Sequence, residues 1–281
     1  MINQSILEDT EKFLEYLGLN EEPIGIYFSD NKPENAFGPN TGPKISRELE
    51  EQGQIDMQGV LQNFSCVIGN IWRARKKRGV AYISAEDYGC PGGVYYCSML
   101  KPYLRFIENY VSTGFEGTHI HGERYMPSPE KMRAFMEEVE PRNAPAKYCL
   151  FKPLSLFTDD EIPEFIIFFA RPEVLTGLFI QATFTTGDMD CVAAPFGAAC
   201  TNLVGWPLYY KEKGVEKAVL GGLDPSARKY MKTDELTFTI PWSLYQKMLK
   251  KLPESVFNFN HAWPSVRNKI NLSAKKWGEV D

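Results

Sequence analysis

The spacing of hydrophobic residues near the start of the chain predicts an amphipathic helix over residues 4–17. Its apolar positions recur every three or four residues: Ile6, Leu7, Phe13, Leu14 and Leu17. A second stripe of the same period predicts a helix over residues 57–77, with Cys66 near its middle. Five cations among residues 73–78 fill its last turn before Gly79. Cations complement the negative end of the helix dipole, so we expect an exposed basic helix end that does not bind DNA.

Short runs rich in β-branched and aromatic residues predict strands. These runs cover residues 24–28, 80–84, 165–170, 217–220 and 236–240. The run 165–170 is apolar at every position, which is typical of a central strand covered on both faces. Further helices are predicted over residues 94–111 (kinked or divided at Pro102), 172–185, 198–213 (interrupted at Pro207) and 241–251.

The alternation of strands and helices predicts an α/β or α+β fold with a mixed sheet built from two related halves. The expected organisation is an N-terminal helix in residues 1–20, a first half in residues 21–148, a second half in residues 149–252 and a tail in residues 253–281. Gly, Pro and charged residues accumulate over 112–148, with one helical pattern at 128–139, so the internal boundary is expected there.

The two halves share a spacing pattern. Cys66 and Cys200 each follow a predicted strand, and a glycine that ends a helix stands 13 positions after Cys66 and 14 after Cys200. Cys90 stands 24 positions after Cys66, and Asp224 stands 24 positions after Cys200. Two readings stay open: a duplicated unit with Cys66 and Cys200 in equivalent positions, or the ordinary alternation of any α/β protein.

Composition and charge narrow the class of protein. The 281 residues carry a net charge of −5 and are 43% hydrophobic, which argues for a globular chain and against a broad nucleic-acid footprint. Because no apolar run approaches the roughly 20 residues of a membrane span, we expect a cytoplasmic protein with no membrane partner. The six cysteines are too few for a disulfide scaffold. A small molecule or cofactor is the expected partner, and a second copy of the chain is left open.

Cys90 is the strongest candidate for chemistry. It stands in the turn Gly89-Cys90-Pro91-Gly92-Gly93, where Pro91 suits the first position of a helix and Cys90 its N-cap. The positive end of a helix dipole favours a thiolate, and the glycines let a ligand approach the backbone. The acidic residues Glu86 and Asp87 stand nearby as candidate general bases. The alternative is a buried cysteine that only caps the helix.

Four of the cysteines together offer a candidate metal site. Cys66, Cys90, Cys191 and Cys200 can supply four thiolates for an iron–sulfur cluster or zinc if the fold gathers them. Their spacing is unlike compact cluster motifs, whose ligands stand two to four residues apart. The stretch from His119 to Glu123 offers two imidazoles and a carboxylate, although a polar loop is the commoner explanation. No common hydrolase, phosphate-loop or dinucleotide motif occurs.

An ordered set of segments resembles a known prokaryotic family. It comprises residues 23–28, Cys66 with the helix to Gly79, the turn 89–93, residues 163–172 and residues 234–241. Together they resemble the domain of unknown function 169, which occurs largely in archaea and anaerobic bacteria. The resemblance implies an anaerobic setting and no particular activity. Family members often carry a second Gly-Cys pair where this chain has Leu223-Asp224, so the resemblance leaves Cys90 without a counterpart.

Three functional hypotheses follow. The first is a protein of anaerobic metabolism that holds a redox cofactor or metal centre through cysteine thiolates, with Cys90 foremost. The second is a non-catalytic binding protein for a small molecule or anion, using Gly89, Gly92 and Gly93 in the turn 89–93. The third is a thiol-dependent enzyme with Cys90 as its nucleophile.

Overall fold

The computed structural model describes residues 2, 4–39, 47–56, 59, 65–100, 103–138, 143–258 and 262–278. Within these ranges seven strands form one sheet: β1 Ile24–Ser29, β2 Ala81–Ser84, β3 Tyr148–Pro153, β4 Phe165–Ala170, β5 Val192–Ala193, β6 Ala218–Gly221 and β7 Leu236–Pro241. Their order is β2-β3-β1-β4-β7-β6-β5, and every neighbouring pair is antiparallel except β5 and β6. The predicted mixed sheet is confirmed.

Helices cover this sheet on both faces. They are α1 Gln4–Leu17, α2 Arg47–Glu51, α3 Val67–Lys77, α4 Pro91–Tyr96, α5 Phe106–Val111, α6 Pro129–Glu138, α7 Pro172–Thr186, α8 Trp206–Glu212, α9 Pro225–Arg228, α10 Trp242–Lys250 and α11 Ala262–Trp277. A π-helical turn, Thr201–Gly205, leads directly into α8. Among the described helices, none has the length and apolar character that crossing a membrane requires.

The central strand β4 is buried at all six positions, as its apolar run predicted. Side chains alternate across a strand, so Ile167 and Phe169 contact one hydrophobic cluster while Ile166 and Phe168 contact another. The first cluster includes side chains of α3 to α6, the π-helical turn and α8, and we call this side of the sheet the cavity face. The second includes side chains of α1, α7 and α10, and Trp263 of α11.

Several helix boundaries differ from the prediction. Cys66 is not inside a helix: its backbone is extended at φ −66° and ψ 143°, and it is the N-cap of α3. Of the predicted helix over residues 57–77, residues 57–58 and 60–64 lie outside the described part of the chain. The predicted helix over 94–111 is divided, since α4 ends at Tyr96 and Ser98 has a positive φ of 65°. The sequence of the tail (residues 253–281) predicts no particular helix or strand, and the structure shows that the tail contains α11.

The two halves of the sheet have the same strand order around its centre. β1 and β4 are neighbours, β3 and β7 lie outside them, and β2 and β6 lie next. The β1–β4 contact is short, with three residue pairs in register against six for β1–β3 and six for β4–β7. β3 pairs with β1 and β2, and the expected boundary after residue 148 stays a prediction. A common origin of the halves stays a prediction.

Arg75 joins the two halves through a buried ion cluster. Its Nε lies 2.5 Å from Glu21 Oε1, and its Nη2 lies 3.4 Å from Glu235 Oε1. Its guanidinium also lies 3.7 Å from the centre of the Phe169 ring on β4. The Arg75 and Glu235 side chains are 2% and 4% exposed, so a prediction of a wholly exposed basic helix end is wrong at Arg75.

We expect Arg75→Ala to lower the free energy of unfolding by about 3–5 kcal/mol, because it would remove the buried cation that Glu235 shares with Glu21 and leave only the exposed Lys232 beside that carboxylate. Urea denaturation of the purified variant measures this change. The matched control is Lys76→Ala, which removes an exposed cation from the same helical turn and should cost less than about 0.5 kcal/mol. Equal effects of the two substitutions would show that Arg75 contributes no more than a surface charge.

Candidate functional site

A cavity of about 70 Å³ lies on the cavity face, between α3, α4, α5, the segment before the π-helical turn and the start of α9. We call it the central cavity. Its wall is formed by Cys66, Val67, Cys90, Pro91, Gly92, Gly93, Tyr96, Phe106, Ile107, Tyr110, Val111, Glu123, Ala198, Cys200, Asp224 and Ser226. Most of this surface is apolar, and polar groups are contributed chiefly by three thiols, two carboxyls and a few hydroxyls.

The turn 89–93 places Cys90 in the wall of the central cavity. Pro91 is the first residue of α4 and Cys90 its N-cap, as the sequence predicted. The Gly93 N–H donates a hydrogen bond to Cys90 Sγ over 3.1 Å. Cys90 is half-buried, whereas the other five cysteines are buried. Gly92 and Gly93 also line the cavity, and Gly89 does not.

Three cysteines distant in sequence meet at this cavity: Cys66, Cys90 and Cys200. Burial raises the pKa of the Cys66 thiol to about 12. Burial, followed by the neighbouring Cys200 and Cys66, raises the pKa of Cys90 well above its ordinary value of 9.0. A hydrogen bond with Cys97, followed by burial, raises the pKa of Cys200 in the same direction. These thiols are therefore neutral at pH 7.

The surroundings of Cys90 do not support the thiolate expected at the start of α4. The Gly93 N–H lowers the pKa of the thiol, but the loss of water around the sulfur opposes it with a larger effect. Helix α4 is only six residues long, which limits its dipole. The wall at Cys90 therefore behaves as a weakly polar, neutral surface.

Two carboxyl groups face the cavity beside the thiols. Asp224 is the N-cap of α9 and is fixed by its neighbours, since the Tyr125 hydroxyl and the Ser226 N–H each donate to Oδ1 over 2.9 Å. Burial, followed by the charge of Asp224, raises the pKa of Glu123 to about 7. Glu123 is thus the wall group whose charge changes near neutral pH.

Sequence reasoning did not identify these carboxyls as a pair. In the sequence, Glu123 belongs to the stretch that begins at His119, and Asp224 is the position equivalent to Cys90, so no pattern predicts that the two meet. The one available signal was the match between Cys90-Pro91 and Asp224-Pro225 at equal spacing. The structure shows that both pairs begin a helix at the same cavity.

Other expected site residues lie elsewhere. Cys191 belongs to the cluster on the opposite face of the sheet, where its Sγ lies 3.7 Å from the Thr183 hydroxyl, so the four-thiolate set is not brought together. Glu86 is exposed, and Asp87 accepts hydrogen bonds from Tyr82 Oη at 3.0 Å and Lys32 Nζ at 3.2 Å. Neither acid lines the central cavity, so the structure does not place either as a base for Cys90.

The histidines of the same region also lie outside the cavity wall. His119 and His121 are both exposed. Across the residues that the structure describes, no group of three or more His, Cys, Asp and Glu side chains is arranged to hold a metal ion.

The reactivity of Cys90 follows from its exposure and its raised pKa together. We expect iodoacetamide at neutral pH to modify Cys90 before the other five thiols, because it alone is half-buried, yet more slowly than in the unfolded chain. Peptide mass spectrometry ranks all six sites, and a Cys90→Ser variant should lack the first reacting site. A Cys90 that reacts faster in the native protein than in the unfolded chain would show a stabilised thiolate and contradict this assignment.

Gly92 and Gly93 offer a matched pair of substitutions. A Cβ on Gly92 would lie 3.9 Å from Cys90 Sγ and meet nothing closer, whereas one on Gly93 would lie 2.8 Å from Val67 Cγ2. We expect Gly93→Ala to lower the free energy of unfolding by about 1–3 kcal/mol through this overlap. Gly92→Ala should leave it unchanged or raise it by up to about 1 kcal/mol, since Ala favours the helix. Urea denaturation measures the free energy of unfolding of both variants. A Gly93→Ala variant as stable as Gly92→Ala would refute the prediction.

Comparison with known proteins identifies one family. The family model for domain of unknown function 169, described as an uncharacterised ArCR, matches residues 12–251. No curated protein and no solved structure matches the chain. The matched region spans β1 to β7 and every residue of the central cavity. The chain therefore belongs to the domain of unknown function 169 family.

Proposed function

We propose that this protein binds a small organic molecule in the central cavity without forming a covalent bond to it. The observation that carries the proposal is the cavity itself, a largely apolar space with a few polar groups converging on it from both halves of the chain. This combination is typical of small-molecule sites, where apolar walls supply affinity and a few polar groups supply orientation.

The protonation of the thiols favours binding over thiol chemistry. A metal–thiolate centre and a nucleophilic cysteine both need a deprotonated sulfur. The raised pKa values of Cys66, Cys90 and Cys200 oppose that form. Neutral cysteines instead behave as small apolar side chains with polarisable sulfur, which suits the wall of a binding cavity.

The size of the cavity limits the ligand to a small molecule or to one small group of a larger one. A single buried water needs roughly 10–15 Å³, so 70 Å³ holds several waters or a small organic group. Half-buried residues in the wall, including Gly92, Ala198 and Ser226, give the cavity an edge near the surface. A bound molecule can extend past this edge into solvent.

The proposal is tested with fluorobenzene as a probe, followed by fluorine NMR. We expect saturable binding to the native protein, because burying the part of an apolar ring that enters the cavity is favourable. Ala198→Leu, which adds bulk to the wall, should weaken binding at least about tenfold, equivalent to about 1.4 kcal/mol.

The matched control is Ala194→Leu, which makes the same change at an exposed position outside the cavity wall and should leave binding unchanged. Circular dichroism establishes that both variants keep the fold. Absence of saturable binding to the native protein, or equal binding by the two variants, would overturn the proposal.

A further inference from the structure

We propose that the molecule held in the central cavity is a small organic cation, an apolar body carrying an ammonium or another protonated nitrogen that lies at Glu123 and Asp224. This inference rests on the proposed function and specifies the class of ligand. It depends on the signs of the charges around the cavity, on the groups that are free to bind, and on the aromatic residues in the wall.

The charges of the wall have one sign. Glu123 and Asp224 line the cavity, and no Lys, Arg or His is among the described residues of its wall. The neighbouring cations are engaged elsewhere: Arg124 Nε donates to the His121 carbonyl, and Arg228 Nη2 donates to the carbonyls of Lys232 and Thr233. A buried carboxylate without a cation is unfavourable, and a cationic ligand removes that cost.

The carboxyls of Glu123 and Asp224 differ in how many hydrogen bonds they already accept, and so in how free they are to bind a ligand. Asp224 already accepts hydrogen bonds from Tyr125 and Ser226, so its position is fixed. Within the described residues, no hydrogen bond to the Glu123 carboxyl is formed, and its backbone N–H donates to the Tyr110 carbonyl. Glu123 can therefore accept a hydrogen bond from a ligand while Asp224 adds attraction from a fixed position.

The apolar part of the wall suits the same ligand. Phe106, Tyr96 and Tyr110 line the cavity beside the thiols. Aromatic faces attract cations and also contact apolar groups, so an organic cation is favoured over a hydrated metal ion of the same charge. An anion would meet two carboxyls, and the described wall residues include no cation to compensate for them.

The charge of Glu123 gives the binding a defined pH dependence. The groups that act on it or face it across the cavity are Asp224, Tyr110, Tyr125 and the thiols of Cys66, Cys90 and Cys200. Burial raises the pKa of both tyrosines, as it does for the thiols, so these groups stay neutral near pH 7. A cation favours the charged form of Glu123, so the affinity for a cation should rise as the pH passes through about 7 and the carboxyl ionises.

Three ligands of one shape and different charge test the inference: benzylamine, benzyl alcohol and benzoate. Isothermal titration calorimetry at pH values of about 5.5, 7 and 8.5 measures each affinity. We expect benzylamine to bind about tenfold more tightly than benzyl alcohol at the highest pH, with a smaller ratio at the lowest. Benzoate should bind most weakly at every pH.

Glu123→Gln should remove both the preference for benzylamine and its pH dependence while keeping the affinity for fluorobenzene, which also shows that the variant is folded. The control is Glu116→Gln, which changes an exposed acid of the same segment and should behave as the native protein. The three ligands compared on the native protein remain decisive if Glu123→Gln does not fold.

The outcomes separate the two proposals. If fluorobenzene binds but benzyl alcohol or benzoate binds as tightly as benzylamine, the cation inference is overturned and the proposed function stands. If benzylamine is preferred but Glu123→Gln keeps that preference, the assignment to Glu123 is overturned. If the native protein binds benzylamine but not fluorobenzene, the apolar binding cavity of the proposed function is overturned, and if it binds neither, both proposals are overturned.

Discussion

The buried guanidinium of Arg75 sets the position of α3 against the sheet. It contacts Glu21 before β1, Glu235 before β7 and the Phe169 ring on β4, so one side chain fixes a helix of the first half to strands of both halves. Removing a charged group from water is costly, and the arrangement is stable only because each charge has a partner at close range. The opposite end of α3 begins at Cys66, in the wall of the central cavity. Helix α3 thus carries the ion cluster near one end and a residue of the cavity wall at the other.

Loss of water is the dominant influence on the chemistry of the central cavity. It raises the pKa of the Cys66 and Cys90 thiols and of the Glu123 carboxyl, so each of these groups favours its neutral form. The hydrogen bond from the Gly93 N–H acts in the other direction and has the smaller effect. Burial thus favours an apolar molecule beside the thiols, and the proposed cation would stabilise the ionised form of Glu123 against the same effect.

The sequence predicts most helices and strands, but it does not predict which of their residues come into contact in the fold. The apolar run at β4 and the helix at α1 depend on local periodicity, which a single sequence displays. The sequence places Cys66 inside a helix, whereas α3 begins after it. The hydrophobic period does not show this start, because the N-cap residue Cys66 is itself apolar and continues the pattern. The partnership of Tyr125 with Asp224 spans 99 positions, and no local pattern encodes it.

The chemistry of Cys90 shows the same limit. Its N-cap position could be predicted from Pro91 alone, because proline suits the first turn of a helix. Its protonation could not, because the pKa of the thiol depends on burial and on Cys66 and Cys200, which come from distant parts of the chain. The local sequence indicates the helix dipole, but it does not show burial, which has the larger effect on the pKa of the thiol.

The short contact between β1 and β4 has a consequence for the folding of the chain. Only three residue pairs join the two halves of the sheet there, whereas six join β1 to β3 and six join β4 to β7. The strand pairings within each half are therefore longer than the pairing between the halves. A molecule in the central cavity contacts Cys90 of one half and Cys200 of the other, so its binding free energy adds directly to the association of the halves. Under the proposed function, occupancy therefore adds to the Arg75 ion cluster and to the hydrophobic cluster of the cavity face, which already hold the two halves together.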